Sequence, residues 1–258
     1  MTKLRADLLL VARGLAESRA KAQAAIAAGG VTADGRAVAK ASELLDEACD
    51  LRAQAAHPYV GRGALKLVHA LELWPVAVED RVVLDVGAST GGFTEVCLER
   101  GAAGVYAVDV GRGQLHPKLA GDPRVTVLEG VDARTLTAEL ISNPPQLVVC
   151  DASFIGLAKV LPAALSLAAP DADLIALVKP QFEVGPDLVG KGGIVRDAQA
   201  RARALADVAS FLTASGWLVL DTADSPIQGG DGNCEYLLHA RKNRPAQPGG
   251  LVDLNLRS

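Results

Sequence analysis

The apolar positions of the chain change period twice. Residues 4–14, LRADLLLVARG, put Leu4, Leu8 and Val11 on one helical face and end at a glycine. A second helix is predicted from a Ser18 cap through RAKAQAAIAAG to Gly29. The period then shortens to two in GVTADGRAV, folded on an Asp34-Gly35 turn, and in CDLRA. Two helices and a hairpin make a small α+β domain over residues 1–56. The stretch AAHPYVG, 55–61, breaks both periods and carries a proline, which places a linker at 57–61.

A helix follows in GALKLVHALELW, with Leu65, Val68 and Leu71 on its stripe and Lys66 off it. From residue 81 apolar runs alternate with helical ones: RVVLDVG, helix 91–100, GVYAVDVG, RVTVLEG, QLVVCDAS, helix 157–168, ADLIALVKP, helix 197–214, WLVLDTADSP and NCEYLLHAR. Near-continuous apolar strands between helices predict an α/β fold, a Rossmann-like sheet of seven strands covered on both faces. The last two strands have only a short connection, so a hairpin with one antiparallel strand is expected. This larger domain occupies 62–244, and 245–258 is a short tail. No internal repeat is visible.

Composition narrows the classes. Half of the 258 residues are hydrophobic and 22% are charged, which excludes long disorder. There is no basic leader with an apolar stretch behind it, and no apolar segment nears the roughly 20 residues needed to cross a bilayer. The expectation is a soluble cytoplasmic protein without a membrane partner. Cys49, Cys97, Cys150 and Cys234 are far apart and the four histidines do not join them, so buried reduced thiols and no metal are expected. The net charge of −4 is uneven: residues 1–66 hold 10 Lys and Arg against 7 Asp and Glu, and residues 67–258 hold 16 against 23. An RNA contact is therefore sought near the N-terminus.

The turn after RVVLDVG reads Asp85-Val86-Gly87-Ala88-Ser89-Thr90-Gly91-Gly92-Phe93. It sits where an open α/β sheet binds its ligand, yet it lacks the middle glycine of a dinucleotide turn. A second strand ends at Asp109-Val110, 24 residues beyond Asp85, where an acid can accept from both ribose hydroxyls of an adenosine. A third is followed by Asp132-Ala133, whose carboxylate suits the adenine amino group. A ligand with an adenosine and no diphosphate fits: S-adenosylmethionine. Its candidate contacts are Asp85, Gly87, Ser89, Thr90, Gly91, Gly92, Phe93, Asp109, Val110, Asp132, Ala133 and Asp151.

Two further strand ends carry charges, Asp151 in VVCDASF and Lys179 in IALVKPQFE. With Lys66 before the sheet and Glu235 in the last strand, all four are expected to meet in one mouth. The set Lys-Asp-Lys-Glu resembles the tetrad of ribose 2′-O-methyltransferases related to the heat-shock rRNA methyltransferase FtsJ. With the phrases GASTGGFTE, LVKPQFE and GGIVRD, the chain resembles the TlyA, or hemolysin-A-like, rRNA 2′-O-methyltransferases over nearly its whole length. Its front domain is similar to the S-four type, or alpha-L, RNA-binding domain. That resemblance implies RNA contacts at Arg5, Arg19, Lys21 and Arg36, ribosomal RNA or ribosomal subunits as partner, and transfer to a cytidine of the large-subunit RNA, with the small-subunit RNA a second candidate.

The residue types suit that chemistry. A ribose hydroxyl is a poor nucleophile, so its proton must be removed while its oxygen is held about 3 Å from the methyl. A lysine serves as base only if something lowers its proton affinity; a second lysine and a sulfonium do so, and Asp151 and Glu235 oppose them. Lys179 is expected as the base, Lys66 and Glu235 as positioners and Asp151 as the group that orients Lys179, although electrostatics alone leaves open which lysine is neutral. The segment Lys191–Asp197 is read either as a loop that orders around RNA or as one with no substrate role. Phe154 and Phe182 are read either as stacking platforms for a base or as core. A hemolysin would need an export signal or a spanning segment, and a non-catalytic assembly factor would have no need of two strand-end lysines.

Overall fold

The first strand and helix depart from the stripe written in the sequence. Residues 2–54, 57–229 and 232–243 are described by the computed structural model, and they fall into two units, Met1–Pro58 and Tyr59–Ser258. The 245–258 tail lies outside the described residues. In the first unit β1 (Lys3–Arg5) pairs antiparallel with a later strand, so helix α1 (Ala6–Ala12) begins only at Ala6. Its buried face is Ala6, Leu9 and Leu10. Leu4 and Val11 are only partly buried and Leu8 is exposed, a correction to the expected Leu4, Leu8, Val11 stripe.

Helix α2 (Arg19–Ala27) starts on Ser18, whose side chain accepts from the Lys21 N–H, and stops before Gly29 at φ +74°. Strands β2 (Val31–Ala33) and β3 (Arg36–Ala37) form the expected hairpin, with Asp34 and Gly35 both at positive φ as a type I′ turn requires. Strand β4 (Leu44–Asp46) is the partner of β1, and β5 (Leu51–Ala53) completes a β3-β2-β5 sheet. Leu9, Leu10, Ile26, Val31 and Leu51 fill the core.

That core also holds a charge. Asp7 is fully buried, and it accepts from Arg5, from Arg19 Nε at 2.9 Å and from Gln23 at 2.8 Å. The Arg5 hydrogen bond is the largest of the influences that keep its carboxyl well below the usual range, against burial that pushes the other way.

The second unit opens with α3 (Ala64–Leu73). Its buried face is Ala64, Leu67 and Ala70 together with Lys66, not the Leu65, Val68, Leu71 stripe. The small face is inward because α3 lies close against the following helix: a Cβ on Gly92 would come within 2.9 Å of the Ala64 nitrogen. Next come β6 (Val82–Val86), α4 (Gly92–Glu99), β7 (Gly104–Asp109), α5 (Pro117–Ala120), β8 (Val125–Glu129) and β9 (Leu147–Cys150). The helix expected over 157–168 is two, α6 (Leu157–Val160) and α7 (Pro162–Leu167), because Pro162 has no N–H to continue the ladder. Strand β10 (Asp173–Val178), the short α8 (Pro180–Glu183), α9 (Ala198–Ala214), β11 (Trp217–Asp224) and β12 (Tyr236–Lys242) follow.

The seven strands run in the order β11-β12-β10-β9-β6-β7-β8, and β12 alone is antiparallel to its neighbours. Each face is covered. On β9, Val148 and Cys150 enter one core and Leu147 and Val149 the other. At the far end of the strands buried Asp173 on β10 binds Arg81, and across the sheet His239 and Arg241 on β12, which pins the register of the antiparallel strand. The strand order reverses between parallel β6 and β9, so the carboxyl ends of these two strands flank the cleft where such sheets bind ligands.

Among the described residues no helix is long and apolar enough to cross a membrane. Cys49, Cys97 and Cys150 are buried thiols, whereas Cys234 is exposed, because it lies in the irregular segment ahead of β12.

Asp7→Ala should lower the unfolding free energy of the N-terminal unit by about 2 kcal/mol, since four charge-assisted bonds go while the arginines turn to solvent. Chemical denaturation of native and variant proteins measures this.

Candidate active site

Four charged side chains from four separate segments converge at the carboxyl end of the sheet. Asp151 follows β9, Lys179 follows β10, Lys66 comes from α3 and Glu235 from the segment ahead of β12. Glu235 was expected inside the last strand; it stands one residue before it, where the chain is free of the pleat. The Asp151 carboxylate lies between the lysines, Oδ1 2.7 Å from Lys179 Nζ and Oδ2 3.8 Å from Lys66 Nζ. Lys66 also donates to Glu235 Oε2 at 2.6 Å. Lys66, Lys179 and Glu235 are each less than a tenth exposed. Two cations against two anions leave no net charge in the cluster, which is the condition for holding it out of water.

Lys179 has two more acceptors, the Asp151 carbonyl at 3.1 Å and Ser153 Oγ at 2.8 Å. Glu235 is packed so closely against Gly229 that a Cβ there would sit 2.5 Å from Oε1. The four charges border a cavity of about 350 Å³ whose wall also includes Arg62, Thr90, Phe154 and Phe182.

A second cavity, of about 590 Å³, runs along the ends of β6, β7 and β8. Asp109 stands in it with both oxygens fixed, Oδ2 by the Ser89 N–H at 2.8 Å and Oδ1 by the Gly111 N–H at 2.7 Å. Val110 beside it is 72% exposed, an apolar side chain with nothing over it. Asp132 caps the turn that begins at Ala133 and pairs with Arg134, whose guanidinium holds the Asp132 carboxyl below its ordinary range. Gly87 is at φ +84°, and a Cβ there would meet the Ala152 Cα at 2.9 Å, so only glycine lets the turn after β6 lie on the segment after β9. Gly87, Ser89, Asp151, Ser153 and Phe154 line both cavities, which makes the two halves of one site.

The chain is similar to known proteins over nearly its whole length. Residues 59–242 match the FtsJ-like methyltransferase family, and residues 4–50 match the S4 domain. The protein is 49% identical over 255 residues to a Mycobacterium tuberculosis protein named 16S/23S rRNA (cytidine-2′-O)-methyltransferase TlyA, covering 97% of this chain and 95% of that one. The chain belongs to the TlyA group of FtsJ-like methyltransferases. Another relative, from Brachyspira hyodysenteriae and named Hemolysin A, is 37% identical over 92% of this chain and 99% of its own. A solved structure from Streptococcus thermophilus, which also bears a hemolysin name, superposes with a TM-score of 0.75 at 40% identity, covering 95% of this chain and 90% of that one.

In this TlyA-group chain the expected contact residues separate into two sets. Gly87, Ser89, Thr90, Gly92, Phe93, Asp109, Val110, Asp132, Ala133 and Asp151 all border one cavity or the other. Asp85 and Gly91 do not. Gly91, at φ +95°, leaves room for Leu115 and Leu119, and a Cβ on it would strike both. Asp85 is wholly buried beneath the turn, where Oδ2 accepts from Thr94 Oγ1 at 2.7 Å and Oδ1 has no partner among the described residues. Burial pushes its carboxyl up to about 7, with the charges of Asp151 and Asp109 adding to the rise and the Thr94 bond opposing it.

The four basic candidates of the S4 unit are each ion-paired within it: Arg5 and Arg19 with Asp7, Lys21 with Glu17 and Arg36 with Glu43. With the boundary at Pro58 this unit has eight Lys and Arg against seven Asp and Glu, so the basic excess counted to residue 66 owes two charges to Arg62 and Lys66 of the second unit. Ser153 and Arg62 went unnoticed in the sequence. The signal for Ser153 was its place two residues after Asp151, and for Arg62 its place between two glycines.

The folded-state value of Asp85 lies above its unfolded value of about 3.9, so its contribution to stability is whole below about pH 4 and is lost as pH rises through 7. Thermal unfolding of native protein and Asp85→Asn between pH 5 and 8 should therefore show the native protein losing ground to the variant as pH rises.

Proposed function

We propose that the protein transfers a methyl group from S-adenosylmethionine to the ribose 2′-hydroxyl of cytidine in ribosomal RNA, in the large subunit and as a second target in the small one, in the cytoplasm. The observation that carries this reading is the pair of buried lysines bridged by Asp151 on the wall between two cavities. A neutral, desolvated cluster of that kind suits the removal of a proton from a weakly acidic hydroxyl. The named activity of the M. tuberculosis relative supports the substrate.

The larger cavity fits an adenosylated cofactor. Its carboxylate at Asp109 is already oriented by two backbone amides, as a ribose hydroxyl acceptor should be, and Val110 offers an uncovered apolar surface for an adenine. Ser89, Gly87 and Asp132 complete the set that would hold it. S-adenosylmethionine supplies an electrophilic methyl. The chain itself does the rest: Lys179 accepts the hydroxyl proton, Asp151 keeps the amine aimed, and the Lys66–Glu235 pair holds the ribose from the other side.

Phe154 and Phe182 suit the base. Their ring centroids are 5.3 Å apart, and Phe154 is 91% exposed at φ +66°, a strained backbone that keeps an aromatic face in water beside the catalytic lysines. A nucleotide turned out of its helix and stacked there brings its 2′-hydroxyl to the tetrad. The S4 unit supports a grip on the RNA backbone, where phosphates set position and not sequence.

Labelled methyl transfer from S-adenosylmethionine to separated, unmodified ribosomal subunits tests the reading. Lys179→Ala should lower kcat by about 10²- to 10⁴-fold with cofactor affinity unchanged. Phe154→Ala should raise KM for the subunit by about tenfold, the worth of one stacked base. A fully active Lys179→Ala protein, or no label from native protein that binds the cofactor, would overturn it.

A further inference from the structure

Buried Lys179 donates to an exposed hydroxyl at the cavity wall, that of Ser153. A lysine ammonium has three N–H donors. One of those of Lys179 is donated to the Asp151 carbonyl at 3.1 Å, while the Asp151 carboxylate lies 2.7 Å away as an ion pair. A second is donated to Ser153 Oγ, 2.8 Å away. Lys179 is 6% exposed, whereas Ser153 is exposed and lines both cavities. Ser153 thus stands at the cavity wall in direct contact with the buried nitrogen.

We propose that Ser153 is a further catalytic residue, whose hydroxyl carries the proton of Lys179 to solvent and then holds the substrate 2′-hydroxyl against the freed amine. The inference rests on the reading of Lys179 as the base. The proton balance closes on groups of the chain and water. Ser153 Oγ accepts one ammonium proton as it releases its own to water, leaving a neutral amine. The 2′-oxygen then binds against both Nζ and Oγ, displacing their mutual hydrogen bond, the O–H bond breaks with its electron pair on oxygen, and the N–H bond forms from the amine lone pair. Asp151 cannot take the relay's place without losing the charge that also faces Lys66, whose other partner is Glu235.

A hydroxyl at 153 is what the role requires, so Ser153→Ala and Ser153→Thr are compared with native protein on the same unmodified subunits, and S-adenosylmethionine affinity is measured by calorimetry. Ser153→Ala should lose about 10²-fold in kcat, the low end of what a positioned proton-transfer group supplies, with subunit KM and cofactor affinity nearly unchanged. Ser153→Thr should recover most of that loss. Native kcat in Ser153→Ala overturns the inference, as does a loss that appears only in cofactor affinity or that threonine fails to restore. If native protein transfers no methyl, the reading of Lys179 fails instead, so the two failures are told apart.

Discussion

Two lysine ammonium groups less than a tenth exposed repel each other and resist leaving water, and the Asp151 carboxylate, with one oxygen toward each, is what allows them to be neighbours. Glu235 balances the second charge at 2.6 Å from Lys66. Removing either acid would leave a buried cation unpaired, and removing either lysine would leave a buried anion. The four are therefore one unit, and single substitutions among them will not add. Such a cluster is expensive to bury.

The sheet is what brings the unit together. Adjacent parallel strands β9 and β10 deliver Asp151 and Lys179 at neighbouring carboxyl ends. Antiparallel β12 lies on the other side of β10, so the chain reaches Glu235 just before it enters the sheet at that same end. The far end of the pair is locked by Asp173 with His239 and Arg241, which fixes how far β12 slides and hence where Glu235 stands. Lys66 is brought in by the close approach of Ala64 and Gly92, which needs small residues on both helices.

That explains what the sequence disclosed and what it hid. Strands and strand ends were legible because buried parallel strands are unbroken apolar runs, and a charge closing one, as in VVCD or LVKP, stands out. The helix faces of α1 and α3 were misread because large residues were assumed to point inward, while close packing selected Ala6 in one case and Ala64, Leu67 and Ala70 in the other. Asp85 was read as a cofactor contact because it sits in the right motif. Motif position does not reveal that the side chain turns under its own glycine loop toward Thr94. Arg19 and Arg36 of the S4 unit looked available for RNA because their partners Asp7 and Glu43 lie 12 and 7 residues away, whereas the partners of Arg5 and Lys21 are local in sequence. Ser153 was invisible for a similar reason: a serine gains meaning only when a lysine from another strand is found on it.

On the proposed function, the two cavities that meet at Gly87, Ser89, Asp151, Ser153 and Phe154 hold a methyl donor and a nucleotide face to face, and the lysines select the atom of the nucleotide that is activated. Nucleoside analysis of ribosomal RNA after reaction reports that atom directly. The proposed function predicts 2′-O-methylcytidine as the new nucleoside, resistant to alkaline cleavage at its 3′ side. A methyl on the base, with the ribose hydroxyl untouched, would contradict it.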